Sequence, residues 1–587
     1  MPGGPRHVFP GYIFGMELRT SPHDPPRWAQ WGVLLASIAL LWHSLGDHGI
    51  YPPDEGRYAA VSGWMAEHGE WLAPRIRDQL HVTKPPLTYW AQAACIRAFG
   101  QCEFAVRAPS ALAASMLLVS VFWFTRRACG ALAATLAVGL LAAMPGTQLI
   151  GRLAITDAML ALWWWLAICT GWLALGDGAT RGSAPGPARD PASPDAPGAR
   201  RPITAWTAAF WAACALVGLT KGPLLLAPVA IVGAWLLLAG RLRDARRLAP
   251  ALGLPLAVAP LALVAWGFWT ANPERAAEIW RFEFVDRFTG GAHDDPWWVI
   301  LVAFVAGCFP ATAMLTLPWF NLSPGAAWRS LRAGDLRALL VLAVVLPIIG
   351  FTLLSGKSPT YIFPAAAPTA VLVAMMLARW VDGTVGDLPP GRTAPDVRWT
   401  TGIAMTAIAA TVITLAAVAI VRGRAPEWAP GWTLLWMTVP LLPAVVASWI
   451  AIAWWSRVEL RLPALGAAFA AIVALWLGAH AAEDRALNAM STRAVAAAVV
   501  ELDRPVVIYA LRNLGIDWHA GRWIDFAATP QELADWVQAH PTGVVVTGER
   551  DLSALSRAED PVAARLVPGR SFDAWPMKKV VFCELAR

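Results

Sequence analysis

Long uninterrupted apolar stretches constrain this 587-residue chain more than any other feature of its sequence. With their flanks they reach the length of roughly 20 residues that crosses a hydrocarbon core as a helix. Examples are Trp31–Trp42, Leu132–Ala143, Ala251–Trp269 and Leu339–Leu354. Only 15% of the residues are charged, against roughly 25% in an ordinary soluble domain. We therefore predict a polytopic α-helical membrane protein.

Thirteen membrane spans are predicted, with boundaries uncertain by about 2–4 residues. Their centres lie near residues 38, 114, 140, 167, 212, 231, 259, 307, 347, 371, 411, 442 and 471. Arginines concentrate in alternate loops, for example at Arg126–Arg127 and at Arg241–Arg247. The positive-inside rule makes that side cytoplasmic, which places the N-terminus inside and the C-terminal segment outside. The first span is expected to be an uncleaved anchor, because no short apolar core with a small-residue cleavage site precedes it.

The predicted organisation has four parts. They are a cytoplasmic N-terminal segment 1–28, a transmembrane domain 29–482 with a long outer loop 48–103, a flexible Pro/Gly/Ala-rich cytoplasmic linker 176–202, and a small α/β domain 483–587 on the outer side. In the last part, buried strands are predicted at Arg504–Ala510 and Gly543–Thr547, a helix at Glu532–Ala539 with Thr529 as its N-cap, and a further strand at Val580–Leu585.

The charges and cysteines exclude other classes of protein. The net charge of +7 comes from basic residues in short loops, whereas a nucleic-acid-binding protein gathers them on one face. Most of the seven cysteines lie in apolar stretches, so the chain is not a disulfide-built secreted module. Cys95 and Cys102 share the outer loop, and they are either both free or paired with each other.

The outer loop contains the most unusual polar residues. Asp54 and Glu55 are adjacent carboxylates after the first span, with Arg57 and Tyr58 one turn away. They are either acids that complement a helix dipole, or a general base beside a cation for an anionic substrate. The segment Ala59–Glu67 is predicted to form an amphipathic helix at the membrane surface.

Asp157 and several cations are predicted on the same side. Asp157 ends the segment from Arg152 at the outer end of an apolar block, where it is either a helix cap or a functional ionisable group. The cations are Lys84, Lys221, Arg287 and Lys357. Each alone is typical of an interfacial anchor, but together with two aspartates they favour a phosphate-binding pocket. An enzyme that acts on lipid phosphates would have this pattern.

Three motifs resemble those of the polyprenyl-phosphate-dependent glycosyltransferases of the GT-C class. They are Asp54-Glu-Gly-Arg-Tyr58, Lys84-Pro-Pro-Leu87 and Phe104-Ala-Val-Arg107. Within the superfamily, which includes the protein O-mannosyltransferases, the chain looks most like the bacterial lipid A aminoarabinose transferases (ArnT-like). The resemblance covers nearly the whole chain, and it implies a GT-C membrane domain with a periplasmic C-terminal α/β domain.

The resemblance also implies the roles of individual residues. Asp54 corresponds to the base or charge stabiliser of the attacking group, and Asp157 to the second catalytic acid. Residues that would contact the substrate are Arg57, Tyr58, Lys84, Arg287, Lys357 and Tyr361. Glu55 and Glu283 are further candidates.

Two motifs depart from the aminoarabinose transferases. Their usual Tyr-x-Glu-Lys-Pro is replaced here by His81-Val-Thr83-Lys84-Pro85, and their His-Glu-His by Phe282-Glu283-Phe284. The glutamate of the first motif and a histidine of the second can form a metal site in the family. Because both are replaced, we predict no metal and no other cofactor.

The implied activity is transfer of a sugar, with inversion, from undecaprenyl phosphate to lipid A or another envelope acceptor at the periplasmic face. The sugar of the resembling family is 4-amino-4-deoxy-L-arabinose. Expected partners are the lipid-linked donor, the acceptor and membrane lipids, with no nucleic acid. The expected location is the bacterial inner membrane, with a cytoplasmic N-terminus and a periplasmic C-terminal domain.

Three alternatives remain open from the sequence. The first is a polyprenyl-phosphate hexose or mannose transferase that acts on another glycan or on a protein hydroxyl. The second is a glycolipid transporter, which would carry charges near mid-span and inverted repeats. The third is a scaffold whose α/β domain recruits cell-wall enzymes, and in that case Asp54 would be dispensable.

Overall fold

The structure is a computed structural model of the chain. It describes residues 21–50, 54–72, 74–76, 79–81, 84–176, 204–281, 296–315, 324–354, 356–382, 458–489, 491–511, 513–558, 560–573 and 579–586. The predicted spans centred near 411 and 442 lie outside these residues. The predicted linker 176–202 also lies outside them, apart from Gly176.

Helices dominate the described residues before the C-terminal domain. The α-helices are α1 Arg27–Trp42, α2 Asp54–His68, α3 Leu87–Phe99, α4 Glu103–Cys129, α5 Ala131–Ala143, α6 Pro145–Ile150, α7 Asp157–Leu175, α8 Ala205–Lys221, α9 Leu226–Leu238, α10 Pro250–Ala271, α11 Pro273–Arg281, α12 Val299–Gly307, α13 Ala311–Met314, α14 Pro324–Ala333, α15 Leu336–Thr352, α16 Ala366–Val381 and α17 Val458–Ala489. Short 3₁₀ helices lie at Gly222–Leu225, Leu242–Leu248 and Pro359–Ala365.

Six helical stretches of the described chain are long and apolar enough to cross a membrane. They are Glu103–Cys129, Asp157–Leu175, Ala205–Leu238, Pro250–Ala271, Pro359–Val381 and Arg461–His480. Side chains of the first five share one apolar core that includes the fully buried indoles of Trp164, Trp165 and Trp235. From the sixth, the partly buried Leu462 and Leu465 pack against this core. This confirms the predicted polytopic helical class. Each predicted span centre within the described residues falls in a helix.

The outer loop folds into α2, two short strands and α3. The strands β1 Arg75–Ile76 and β2 Gln79–Leu80 pair antiparallel. Helix α2 contains the predicted helix Ala59–Glu67, but most of it is enclosed by protein instead of lying on a surface. Its residues are small or apolar around most of the helix circumference, so that it can be buried on opposite faces at once.

The C-terminal domain is a five-stranded sheet with helices on its faces. Its elements are α18 Arg493–Val500, β3 Val506–Tyr509, α19 Leu514–Ala520, β4 Asp525–Ala527, α20 Pro530–Ala539, β5 Val544–Gly548, α21 Glu549–Arg557, β6 Leu566–Asp573 and β7 Lys579–Leu585. The strand order is β4-β3-β5-β7-β6. Strand β3 is parallel to β4 and β5, whereas β7 is antiparallel to β5 and β6.

The sequence predicted the centre of this sheet and not its edges. The predicted strands correspond to β3, β5 and β7, and the predicted N-cap is confirmed, because the Thr529 hydroxyl accepts from the Glu532 amide at 3.2 Å. Strands β4 and β6 were missed, since β4 has three residues and β6 contains Pro568 and Gly569. The expected boundary at residue 483 falls inside α17, which ends at Ala489.

The cysteines of the outer loop are not bonded to each other. Cys95 in α3 and Cys102 before α4 are both free and half-buried. The alternative of a disulfide between them is therefore wrong.

A buried ion pair fixes the outer end of the helical domain. Arg107 of α4 donates to both carboxylate oxygens of Glu55, at 3.0 and 2.8 Å. Its terminal nitrogens also donate to the carbonyls of Leu45, His48 and Gly49 at 2.8–3.2 Å. Both side chains are almost completely buried, at 0% and 1% exposure. Burial disfavours the Glu55 carboxylate, but the charge and hydrogen bonds of Arg107 hold its pKa below the usual value.

Arg107→Met should destabilise the protein strongly, because it leaves the Glu55 carboxylate buried without its partner. Breaking such a pair costs about 3–5 kcal/mol. We expect a large drop in the midpoint of thermal unfolding of the detergent-solubilised protein. Adding Glu55→Gln should recover part of the loss. The matched control is Arg504→Met, since Arg504 pairs with Glu584 on an exposed surface. An Arg107→Met midpoint equal to that of the control would contradict this structural role.

Candidate active site

A second buried ion pair lies at the outer end of α7. Asp157 is the first residue of this helix and is 4% exposed. Its Oδ1 accepts a hydrogen bond from Nζ of Lys221 at 2.7 Å. Lys221 ends α8, and the chain then turns through Gly222 at a positive φ of 58°. The turn therefore places the lysine beside the start of the neighbouring helix, although the two residues are distant in sequence.

Tyr361 covers this lysine. The Lys221 ammonium lies 4.7 Å from the centre of the Tyr361 ring, within the range of a cation–π contact. Tyr361 belongs to the 3₁₀ helix Pro359–Ala365, and the half-buried Lys357 lies just before that helix. The structure thus brings Tyr361 to Asp157 through Lys221.

Tyr58 connects α2 to the same group. Its ring is buried and stacks on Tyr89 of α3, with the ring centres 5.3 Å apart. Its hydroxyl hydrogen-bonds to the Thr156 side chain beside Asp157. Burial raises the pKa of Tyr58 well above 10, and the nearby Tyr89 and Asp157 add to the shift. The phenol therefore stays protonated and serves as a neutral hydrogen-bonding group.

Asp54 and Arg57 lie at the exposed start of α2. The Asp54 Oδ1 is 2.5 Å from the Arg57 Nη2, and the Asp54 side chain is 60% exposed. Arg57 also lies over the Tyr58 ring, 5.8 Å from its centre. Asp54 is thus a solvent-accessible carboxylate one helical turn before Tyr58, with a cation beside it.

Glu55 does not face this site. Its carboxylate is occupied by Arg107 and by the backbone N–H of Ala154, at 2.6 Å. The further candidate Glu55 is therefore corrected to a structural residue that links α2 to the segment before Asp157. Arg287 and the other further candidate, Glu283, lie outside the described residues.

Lys84 belongs to a cluster of cations around His81. Lys84 is half-buried, and His81 lies edge-on to Tyr89 with the ring centres 6.4 Å apart. Burial, together with the charges of Arg57, Arg275 and Lys84, lowers the pKa of His81 to about 3. The imidazole is therefore neutral at physiological pH, and the surrounding field is positive.

Tyr89 and Arg275 have no role predicted from the sequence, and Lys221 is predicted only as one of several cations of a phosphate-binding pocket. Lys221 was noted as an outer cation, but its pairing with Asp157 depends on how two helices pack. Tyr89 lies in the outer-loop segment without a motif of its own, and Arg275 lies in the first turn of α11. Only Lys221 has a sequence signal of function, since it is an ionisable residue at the end of an apolar block.

Comparison with known proteins agrees with the resemblance inferred from the motifs. The profile of the dolichyl-phosphate-mannose-protein mannosyltransferase family matches residues 50–271. An undecaprenyl phosphate-alpha-4-amino-4-deoxy-L-arabinose arabinosyl transferase of Pseudomonas fluorescens is 32% identical over 61% of this chain and 59% of its own length. A transferase of the same name from Sodalis glossinidius is 31% identical over 59% of this chain and 60% of its own. The matched region thus spans about three fifths of these relatives.

The fold is shared over a longer range. The crystal structure of ArnT from Cupriavidus metallidurans bound to undecaprenyl phosphate has a TM-score of 0.70, and it covers 96% of this chain and 99% of its own at 19% identity. The apo form gives the same score. The chain therefore shares the fold of this ArnT structure, and its predicted resemblance to the ArnT-like transferases is confirmed.

The protonation of His81 predicts how stability depends on pH. Its pKa is lower in the folded protein, about 3, than the ordinary value of 6.5. Below pH 6.5 the unfolded chain binds a proton that the folded protein does not, so stability falls as the pH falls towards 3. We expect His81→Gln to make the decline in unfolding temperature between pH 7 and pH 5 shallower.

The control is His68→Gln, at the exposed end of α2. His519 of the C-terminal domain, whose burial lowers its pKa to about 4, should leave a residual slope in both variants. Identical slopes for His81→Gln and the wild type would contradict the assigned environment of His81.

Proposed function

We propose that the chain is an inverting glycosyltransferase that moves a sugar from undecaprenyl phosphate to lipid A or another envelope acceptor. The observation that carries the proposal is the pairing of Asp157 with Lys221 under Tyr361, at the end of an apolar helical domain. An acid and a cation stabilise a charge that develops in the transition state more strongly in a low-dielectric environment than they would in water. A lipid-linked phosphate can reach this depth because its tail dissolves in the surrounding bilayer.

The names of the relatives support the substrates. The curated relatives are named as transferases of 4-amino-4-deoxy-L-arabinose with undecaprenyl phosphate, and a structure of the same fold contains undecaprenyl phosphate. We extend that donor class to this chain. Lipid A is the acceptor we propose by the same resemblance.

In the proposed reaction an acceptor oxygen attacks the anomeric carbon from the side opposite the lipid phosphate. The bond between that carbon and the phosphate oxygen breaks, and the phosphate leaves as an anion. If the acceptor is a hydroxyl, its proton passes to Asp54. If the acceptor is a phosphate, no proton is transferred, and Asp54 orients the acceptor through Arg57.

The cations of the proposed site would bind the phosphate of the donor. We assign Lys84, with Arg287, to the leaving phosphate, whose developing charge they would neutralise. Lys357, just before the 3₁₀ helix that carries Tyr361, adds a further cation. Tyr58 contributes a neutral hydroxyl close to Asp157.

A second candidate is transfer of a hexose such as mannose to another glycan or to a protein hydroxyl. The match to the mannosyltransferase family profile over residues 50–271 supports it. So do His81 and Thr83, which replace residues typical of the aminoarabinose transferases.

The proposed orientation in the bacterial inner membrane has Asp54, Asp157 and the C-terminal domain on the periplasmic side. The arginine-rich loops would then face the cytoplasm, together with the N-terminus. Support comes from the contact of the C-terminal domain with α2, which places that domain at the same end of the helical domain as the candidate site.

Substitutions at the Asp157–Lys221 pair and at Asp54 should abolish most of the transfer. We expect Asp157→Asn and Lys221→Gln to lower kcat roughly 10²–10³-fold, because each leaves a charge without its partner at the reacting centre. Asp54→Asn should lower it by roughly 10²–10⁴-fold if the acceptor is a hydroxyl, and by much less if it is a phosphate. The assay uses full-length protein in nanodiscs, undecaprenyl phosphate-linked aminoarabinose and lipid A, with products measured by mass spectrometry.

The matched controls are Asp503→Asn and Lys579→Gln, on exposed positions of the C-terminal domain. Parallel reactions with polyprenyl-phosphate mannose and a glycan or peptide acceptor test the second candidate. If the wild type consumes neither donor, the enzyme hypothesis fails, and the transporter and scaffold alternatives gain weight.

The two ends of α4 test the orientation. Cys102 precedes this helix and Cys129 ends it, and both side chains are half-buried and outside any disulfide. In spheroplasts that carry single-cysteine variants, a membrane-impermeant maleimide should label Cys102 directly and Cys129 only after permeabilisation. The reverse pattern would overturn the proposed orientation.

A further inference from the structure

We infer that the C-terminal α/β domain positions the active site by docking α19 onto α2. Trp518 is then a positioning residue that acts through the helix carrying Asp54, Arg57 and Tyr58. The inference rests on the proposed function, since it assigns a catalytic consequence to a contact between the two domains.

Helix α2 packs between the helical domain and the C-terminal domain. Tyr58, Val61 and Met65 pack into the apolar core of the helical domain. Ala59 instead lies in a separate cluster with Trp518, together with Ile50, Ile96, Ala105, Val106 and Ala154. The helix that carries the candidate acid therefore has one face on each domain.

Small residues permit the close approach of the two helices. A Cβ atom added to Gly56 would lie 2.8 Å from the backbone nitrogen of Gly515, and one added to Gly63 would lie 3.0 Å from the Trp518 ring. Together with Ala59, these glycines lie at the helical spacing of one face. The contact of α19 with α2 thus reaches the backbone at Gly56 and is geometrically specific.

Polar contacts hold the domain in the same position. Glu103 at the start of α4 pairs with Arg493, with 2.7 Å between Oε1 and Nε, and the His519 ring lies 3.6 Å from the same oxygen. The side-chain amide of Gln101 donates to the carbonyl of Trp518 at 2.8 Å. Two of these contacts are made by Trp518 and His519, so they hold the C-terminal end of α19 beside the start of α4.

The docking contacts also reach the segment that leads into α2. The backbone N–H of Gly49 donates to Asn488 at 3.2 Å, and that of Ile50 donates to Nε2 of His519 at 3.4 Å. The carbonyl of Gly49 is held by Arg107. Gly49 is thus held by Arg107 of the helical domain, and the adjacent Ile50 by His519 of the C-terminal domain. Misplacement of a reacting group by about 1 Å can cost roughly 10²-fold in rate, so this support bears directly on catalysis.

The test uses the full-length protein with Trp518→Ala, and with Arg493→Gln as a milder second variant. Cys95 and Cys102 pack against the cluster that contains Trp518, so their rate of maleimide labelling reports undocking. Hydrogen exchange of peptides within 54–68 reports the order of α2. We expect both variants to raise thiol labelling and exchange in α2, and to lower kcat roughly 10- to 100-fold with little change in the KM of the donor.

The matched control is Trp536→Ala, which removes an indole from α20 of the same domain that hydrogen-bonds to Asp525. Faster labelling without a change in α2 exchange or in kcat would overturn the inference, and so would a loss of kcat without faster labelling. If the wild type shows no transfer, the proposed function fails, while the exchange of α2 still decides whether α19 holds this helix.

Discussion

The five N–H groups of Arg107 are the constraint on which the outer end of this protein depends. Two of them neutralise Glu55, and the others bind three carbonyls of the segment between α1 and α2. Glu55 in turn binds the backbone just before Asp157. One side chain of α4 therefore fixes the start of α2 and the start of α7, and with them the two aspartates of the candidate site. A guanidinium suits this position because its planar fork satisfies several acceptors at once in a buried site.

Much of the fold could be predicted from the sequence, because membrane spans are determined by length and composition alone. The motifs from Asp54 to Arg107 also predict that the outer loop contributes residues to the site. What the sequence could not give were pairings: Glu55 and Asp157 are both acids near span ends, and nothing local distinguishes them. The structure separates them by their partners, Arg107 for the first and Lys221 for the second. Such partners come from helix packing, which depends on contacts between residues far apart in the chain.

The same reasoning explains why the C-terminal domain was predicted as a fold and not as a part of the site. Its central strands have continuous apolar sequences, which are local signals. Its docking depends on glycines of α2 and on a tryptophan of α19. Neither residue type indicates an interface in the sequence, because the contact exists only once the two helices are packed together. Glycine in a helix normally costs stability, and the close approach at Gly56 offsets that cost by allowing contact that a Cβ would block.

The cation cluster around His81 bears on the choice between the two candidate sugars. His81 is neutral, as the tyrosine usual at this position would be. This replacement alone therefore changes neither the charge of the site nor the ions that it prefers. Thr83 differs, because it removes the carboxylate that the aminoarabinose transferases usually carry beside the lysine. An aminoarabinose donor carries an ammonium group, which such a carboxylate would stabilise, whereas a hexose has none to pair. The positive field of Arg57, Lys84 and Arg275 still favours the phosphate of either donor. Thr83 in place of the glutamate therefore argues against the amino sugar, but not against a lipid-phosphate donor.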